Sequence, residues 1–254
     1  MNCRLCSSVI TSHFANDIML GHDVKYYDCD ICGYVQTDEP TWLDEAYASP
    51  INLSDTGIMA RNLANVGLVL STLALMRERM GRVVDYAGGH GFLVRLLRDK
   101  GVDALWMDPY SENLVARGFG YSGEEAALVT AFEAFEHFLN PIGEMTQLLD
   151  ISTNILFTTT LVPHDAPQPS SWWYYGLDHG QHIGFYRIKT LYFIAERFDL
   201  RLYSDGSSVH LFTKRKLSKA KWRVLNKLAS VSPSLLTFGL KPKTSSDFSS
   251  LSKR

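Results

Sequence analysis

Residues Arg82 to Tyr110 read RVVDYAGGHGFLVRLLRDKGVDALWMDPY, and the order of their parts decides the fold. A short apolar strand with Val83 and Val84 runs into Asp85, then a glycine-rich turn, then an amphipathic helix carrying Leu93, Leu96 and Leu97, then a second apolar strand closed by Asp108. Glycines in such a turn reach backbone angles closed to other residues and bring the main chain close to a ligand, while the helix that follows offers unpaired N–H groups. An acid at the tip of the next strand accepts both hydroxyls of a ribose. The stretch predicts a site for an adenosine-bearing molecule.

What the loop lacks narrows the ligand. A phosphate-binding P-loop needs Lys and then Ser or Thr after its last glycine, but Gly91 is followed by Phe92 and Leu93. A dinucleotide fingerprint wants a third glycine three residues after the second, and counting from Gly89 and Gly91 that place holds Val94. ATP hydrolysis is disfavoured, and NAD ranks second. The remaining pattern resembles the first two motifs of class I S-adenosylmethionine-dependent methyltransferases. That family's loop runs acid, any residue, Gly, any, Gly, any, Gly; here it runs Asp85, Tyr86, Ala87, Gly88, Gly89, His90, Gly91, so Ala87 departs at the first glycine. AALVTAFEAFEHFLNP, from Ala126 to Pro141, is similar to the fourth motif of the family, a central strand followed by Glu-His and an Asn-Pro helix start. QHIGFYRIKTLYFIAERFDLRLY, from Gln181 to Tyr203, is similar to the His-containing loop, helix and strand that follow strand five. Three motifs in the family's order weigh more than one glycine loop. The resemblance implies S-adenosylmethionine as cofactor, held by Asp85, Ala87, Gly88, Gly89, Gly91, Asp108, Phe132 and Glu133.

Along the chain, apolar residues recur at helical spacing from Ile58 to Met80, and Gly81 ends that helix. The third strand is expected within residues 109–125, the fourth near Leu128 to Phe132, the fifth near Ile155 to Thr160, and the last two near Leu200 to Tyr203 and Val209 to Thr213. Strands alternating with helices read as an α/β fold, a Rossmann-like, doubly wound, mostly parallel sheet of seven strands. With 254 residues, 46% apolar and 12% aromatic, the chain can bury a full α/β core as one main domain with appendages. Its longest apolar stretch, Val66 to Met76, is too short to cross a bilayer, and the first residues lack a signal-peptide core. A cytoplasmic protein is expected.

All four cysteines fall in the first 32 residues as Cys3 with Cys6 and Cys29 with Cys32, and 22 residues separate the pairs. Two CxxC pairs without a secretion signal read as thiolate ligands of one tetrahedral zinc, since each two-residue spacing turns both sulfurs toward one ion. Four sulfur ligands leave no position for water, so this zinc is structural. His13 and His22 lie between the pairs and are read as loop residues. Residues 1–40 are expected as the zinc ribbon and 41–80 as connector and helix. In the connector TDEPTWLDEAYASP, Pro40 and Pro50 argue against regular structure. The methyltransferase core follows at 81–213, and a basic tail at 214–254.

That tail holds eleven Lys or Arg and one acid, Asp247, about +10, against about −12 on the rest of the chain. Leu217, Val224, Leu225 and Leu228 share one helical face with Trp222 at its edge, a basic amphipathic helix compatible with an anionic membrane surface or with packing on a partner or on the sheet domain. The last stretch, KPKTSSDFSSLSKR, is expected to be disordered. A nucleic-acid partner is disfavoured, because the remainder of the chain is acidic.

Methyl transfer from a sulfonium needs alignment and, for a hydroxyl or carbon acid, a base. His137, preceded by Glu136 after strand four, is the first candidate; His182 in DHGQHIGFY is the second and His179 a weaker third. Glu136 or Glu133 could orient the histidine or contact the cofactor. The cluster SSWWYYGLDHG, with Trp172, Trp173, Tyr174 and Tyr175, follows a proline-punctuated polar loop, and flat aromatic faces support sugar rings. A cysteine-rich N-terminal element joined to this core resembles bacterial sugar and polysaccharide-modifying methyltransferases. The resemblance implies O-methylation of a sugar nucleotide or cell-surface glycan by a histidine base, at the inner face of the membrane or free in the cytoplasm. The rival expectation is a catalytically silent zinc-ribbon scaffold of a glycan-assembly complex.

Overall fold

In the computed structural model, residues 1–48, 55–231 and 233–253 are described. In chain order the elements are β1 (Ala15–Met19), β2 (His22–Asp28), β3 (Val35–Thr37), α1 (Leu43–Ala46), α2 (Ile58–Met76), β4 (Val83–Tyr86), α3 (Phe92–Asp99), β5 (Ala104–Met107), β6 (Leu128–Phe132), α4 (Pro141–Ile151), β7 (Asn154–Thr158), β8 (Gly184–Phe185), α5 (Ile188–Arg197), β9 (Arg201–Ser204), β10 (Val209–Thr213), α6 (Lys219–Val231) and α7 (Thr244–Leu251). They form a mixed α/β fold with two sheets, ordered β1-β2-β3-β8 and β5-β4-β6-β7-β10-β9.

The larger sheet has six strands among the described residues, not seven. Residues 109–125 contribute only a single bridge, Trp106 to Gly120, where a third strand was expected. Asn113 and Glu124 there, with Asp108 just before them, fold the chain into side-chain-capped turns instead. β4 pairs in parallel with β5 on one side and β6 on the other, Val84 facing both Leu105 and Val129. Chain order therefore reverses at β4, and ligands of open α/β sheets bind beyond the carboxyl end of that switch point. All four residues of β4 are buried, as befits a central strand rich in Val.

Packing divides the chain into two compact units. The first holds Met1–Ser54, Glu133–Gln147 and Phe157–His210, and the second holds Asp55–Phe132, Leu148–Leu156 and Leu211–Arg254.

In the first unit the N-terminal strands build an antiparallel sheet whose fourth strand is β8, from far along the chain, with Val35 opposite Phe185. Its core joins Met19, Val24, Tyr26 and Trp42 to Tyr174, Tyr175, Ile183 and Phe185. Burial of these apolar side chains at about 25 cal/mol per Å² ties residues 14–46 to residues 162–185. The connector is not wholly irregular: Leu43–Ala46 makes one helical turn, and Trp42 donates from Nε1 to the Gly180 carbonyl at 2.8 Å. Pro50 lies outside the described residues.

In the second unit α2 packs on α3 and α6. It is long and apolar enough, by length and composition alone, to cross a bilayer. Val66, Val69, Leu70, Leu73 and Met76 are buried, which is the setting of a core helix, and Arg77 in the left-handed conformation ends it before Gly81. α6 does not present the face expected of it. Trp222 (2% exposed) and Ala229 point inward, Asn226 accepts the Ser71 hydroxyl at 3.0 Å, and Val224 is 66% exposed. The reason is Gly67, whose Cβ would stand 2.8 Å from the Ala229 carbonyl, so small residues set the line of approach. The Leu225 side chain lies outside the described residues. The terminal stretch is ordered: α7 is helical, and Asp247 is buried between Arg98 and Arg95 at 2.8 and 2.9 Å.

Candidate functional site

The glycine loop belongs to the second unit. Asp85 is buried at the end of β4, where Oδ1 accepts the Thr130 hydroxyl at 2.7 Å. Burial pushes its pKa up to about 7; the Thr130 hydroxyl opposes that shift, and Asp108 adds to it. Ala87, Gly89 and Gly91 all have left-handed backbones, at φ 56°, 52° and 88°. A Cβ on Gly88 would press Asp85 Oδ2 and Trp106 Cδ1 at 2.9 Å, whereas one on Gly89 meets nothing within 4 Å. The loop is thus packed on its inner side and open at Gly89.

Asp108 closes the site from the tip of β5. Its Oδ1 accepts the N–H groups of Tyr110 and Ser111 at 2.8 and 2.9 Å, and its Oδ2 accepts that of Gly89 at 2.8 Å. A carboxylate has roughly four acceptor positions, so one remains for a ribose hydroxyl. Trp106 Nε1 donates to the Gly89 carbonyl at 2.8 Å and steadies the turn. An open glycine face and a prefixed carboxylate with one acceptor position to spare fit an adenosine moiety. Phe132 ends β6, half-buried.

The histidine candidates belong to the first unit. Glu133 has a left-handed backbone at φ 50° and is tied by its N–H and Oε1 to the Thr158 hydroxyl at 2.9 and 2.7 Å. A single 3-10 turn, Phe135–His137, follows. Phe135 stacks on Phe157 at 4.0 Å and accepts the Tyr186 hydroxyl at its carbonyl, which buries the next residue, Glu136. Glu136 Oε1 accepts the Tyr174 hydroxyl at 2.7 Å, while Oε2 has no protein partner. Burial pushes this carboxyl up to about 8; Glu133 adds to the shift and the Tyr174 hydroxyl opposes it.

His137 and His182 stand with ring centroids 5.0 Å apart, and His179 stands 4.7 Å from His182. Desolvation lowers His137 to about 4, helped by His179, and it holds His182 well below the usual imidazole range with help from His137. Both imidazoles are neutral at neutral pH. His182 Nδ1 lies 2.6 Å from the Tyr174 carbonyl, which only accepts, so Nδ1 carries the proton and Nε2 presents a lone pair. His137 Nδ1 lies 2.8 Å from the Tyr47 hydroxyl. Ligand atoms of Glu136, His137 and His182 lie within 4.8 Å of one another, and such a neutral acid–base group can remove a proton.

Sequence reasoning brought His137, His182 and Glu136 together but missed Tyr47 and Tyr174. Tyr47 sits in an acidic connector with no motif, and Tyr174 was read only as one of four aromatics. Of that cluster, Tyr174 and Tyr175 are core, Trp172 packs on Tyr175 at 5.0 Å, and Trp173 alone is open at 77% exposure.

The four cysteines also gather in the first unit as free thiols. Sγ atoms of Cys3 and Cys32 lie 3.6 Å apart, as do those of Cys6 and Cys29. Tetrahedral sulfurs about 2.3 Å from a zinc ion stand about 3.8 Å apart, so the donor set fits the ion. The Ser8 hydroxyl lies 3.0 Å from Cys6 and 3.1 Å from Cys29. His22 pairs with Glu45 instead.

Comparison with known proteins places this geometry. A methyltransferase-domain family model matches residues 57–205. Solved structures similar to the chain include TnmH (15% identity, 70% of this chain, 62% of that one, TM-score 0.47) and magnesium protoporphyrin IX methyltransferase from Synechocystis with bound S-adenosylhomocysteine (15%, 67%, 92%, 0.47). A third is a calicheamicin-biosynthesis methyltransferase, also with S-adenosylhomocysteine (16%, 60%, 54%, 0.41). The chain spans 62% and 54% of the first two of these by similarity, TnmH and the calicheamicin enzyme. A search of curated proteins finds no significant match. The family match covers more than half of the 254 residues and takes in both the glycine loop and the Glu-His turn, so the chain belongs to the methyltransferase-domain family and is an S-adenosylmethionine-dependent methyltransferase.

Proposed function

We propose that this protein transfers a methyl group from S-adenosylmethionine to a hydroxyl of a saccharide, either a sugar nucleotide or a cell-surface glycan, with a histidine as general base. The observation that carries the reading is His182, whose proton is held on Nδ1 by a main-chain carbonyl and whose Nε2 is therefore an acceptor. The cofactor supplies an electrophilic methyl on a good leaving group. The chain's own residues align the acceptor and take its proton: as the O–C bond forms and the S–C bond breaks, the hydroxyl proton passes to Nε2. His137, whose Nδ1 lies against the Tyr47 hydroxyl, is the alternative acceptor for that proton.

The open face of Trp173, beside Tyr174 at 5.2 Å, supports a sugar ring as the acceptor's scaffold. Zinc on Cys3, Cys6, Cys29 and Cys32 would staple the N-terminal strands. Free thiols and the exposed Val224 amid Lys221, Arg223 and Lys227 suit a cytoplasmic enzyme that meets the inner membrane face or a glycan-assembly partner. Ala87 counts against a silent scaffold, because it keeps the left-handed turn that the family's glycine would make. The test is incubation with isotope-labelled S-adenosylmethionine and a panel of sugar nucleotides and envelope glycans, followed by mass spectrometry. Label in a saccharide, lost in His182→Ala, is expected; label only in non-saccharide acceptors would overturn the substrate class.

A further inference from the structure

Tyr174 touches both members of the acid–base cluster, with different atoms. Its phenol O–H donates to Glu136 Oε1 at 2.7 Å, and its main-chain carbonyl accepts from His182 Nδ1 at 2.6 Å. The phenol oxygen also accepts the Thr160 N–H at 3.0 Å and lies 3.3 Å from the Thr159 hydroxyl, so its position is fixed on a second side. The ring is 1% exposed and packs against Trp173 and over His182. This one residue therefore joins the 3-10 turn after β6 to the histidine loop before β8.

We propose that Tyr174 is a positioning residue of the methyl-transfer site: its hydroxyl aims the Glu136 carboxyl while its backbone carbonyl holds His182 in the tautomer with Nε2 free. The geometry stands without an acceptor, but its purpose rests on the base reading above. Glu136 is faced by Glu133, His137, His182, Tyr186 and the Thr159 hydroxyl besides Tyr174. Of these groups, Tyr174 makes the short, buried hydrogen bond to its carboxyl. Loss of that donor removes stabilisation of the ionised carboxylate, and Glu136 must then hold its proton to higher pH. The main-chain carbonyl survives any side-chain change, so the two effects separate.

The test is infrared titration of the full-length protein, with the Glu136 carboxyl band isolated as the difference between wild type and Glu136→Gln. In Tyr174→Phe the midpoint of that band is expected to rise by about one pH unit, a tenfold change in the ionisation constant. In the same variant, nitrogen NMR of labelled histidine should still find the His182 proton on Nδ1. Tyr175→Phe, which removes a hydroxyl that donates to the Pro167 carbonyl, should leave the midpoint in place. A folded Tyr174→Phe with an unmoved midpoint overturns the proposal. Should that variant fail to fold, uniform 3-fluorotyrosine, a stronger donor of near-native size, is expected to move the midpoint down, and no movement overturns the proposal equally. Neither readout needs a methyl acceptor, so failure here is distinct from failure to find the substrate.

Discussion

Ala87 holds a backbone angle, φ 56°, that costs a residue with a Cβ about 1–2 kcal/mol. Its place in the loop demands that angle, and neither the packed inner side nor the turn can relax. Ala87→Gly removes the strain but loosens the unfolded chain by about 0.4–1 kcal/mol, so the melting temperature is expected to hold or rise slightly. A clear fall in a thermal melt would show that the methyl group packs in a way its exposure denies. Glu136 makes a second prediction. Its carboxyl is raised from 4.5 to about 8, so between these values the folded protein keeps a proton that the unfolded chain releases. That stability is whole below about 4.5 and is lost as pH rises through about 8. Glu136→Gln cannot ionise, and its melting temperature relative to wild type should climb across that window; a difference flat with pH would refute the buried carboxyl. His137 has the opposite sign, since its lowered pKa costs stability as pH falls from 6.5 toward about 4. The sequence could name Glu136 and His137 as chemistry-bearing residues, but not their protonation, which comes from Phe135, Phe157 and Tyr174 closing around them.

The helices show where local pattern succeeds and where it fails. α3 was legible, because Leu93 and Leu97 recur at helical spacing and are buried, whereas α5, with Leu191 and Ile194 buried, was expected only from the family resemblance of its segment. The C-terminal segment was not legible, because nothing in KPKTSSDFSSLSKR is apolar enough to signal order. Its order comes from afar: Asp247 is buried against Arg98, which also lies 3.7 Å over the Phe119 ring, and against Arg95. Breaking a buried pair leaves an uncompensated charge, so Asp247→Ala is expected to destabilise the protein by about 3–5 kcal/mol in a denaturant titration. A loss below about 1 kcal/mol would mean that α7 is only resting on α3. The inward face of α6 was misread for a related reason: Gly67 on α2, not the apolar stripe on α6 itself, determines which residues approach.

At the scale of the molecule, the β4-loop-α3-β5 order and the family were readable because they are local and sequential. The pairing of β3 with β8 was not, since no short-range signal links Val35 to Phe185. The N-terminal sheet draws part of its core from residues 162–185, so zinc on the four cysteines would staple a structure larger than a free ribbon. Chelation at neutral pH is expected to release about one zinc per chain and to lower the melting temperature, as should Cys29→Ser; full-length protein that carries no metal, or melts unchanged without it, would remove the staple. The central claim is that the open glycine loop and the Asp108 carboxylate hold an adenosine sulfonium. Isothermal titration with S-adenosylhomocysteine tests it most directly. Wild type should bind, and Asp108→Ala, which deletes a charged hydrogen-bonding partner worth about 1.5–3 kcal/mol, should bind about 10- to 100-fold more weakly. No binding by wild type, or equal affinity in the variant, would contradict the account.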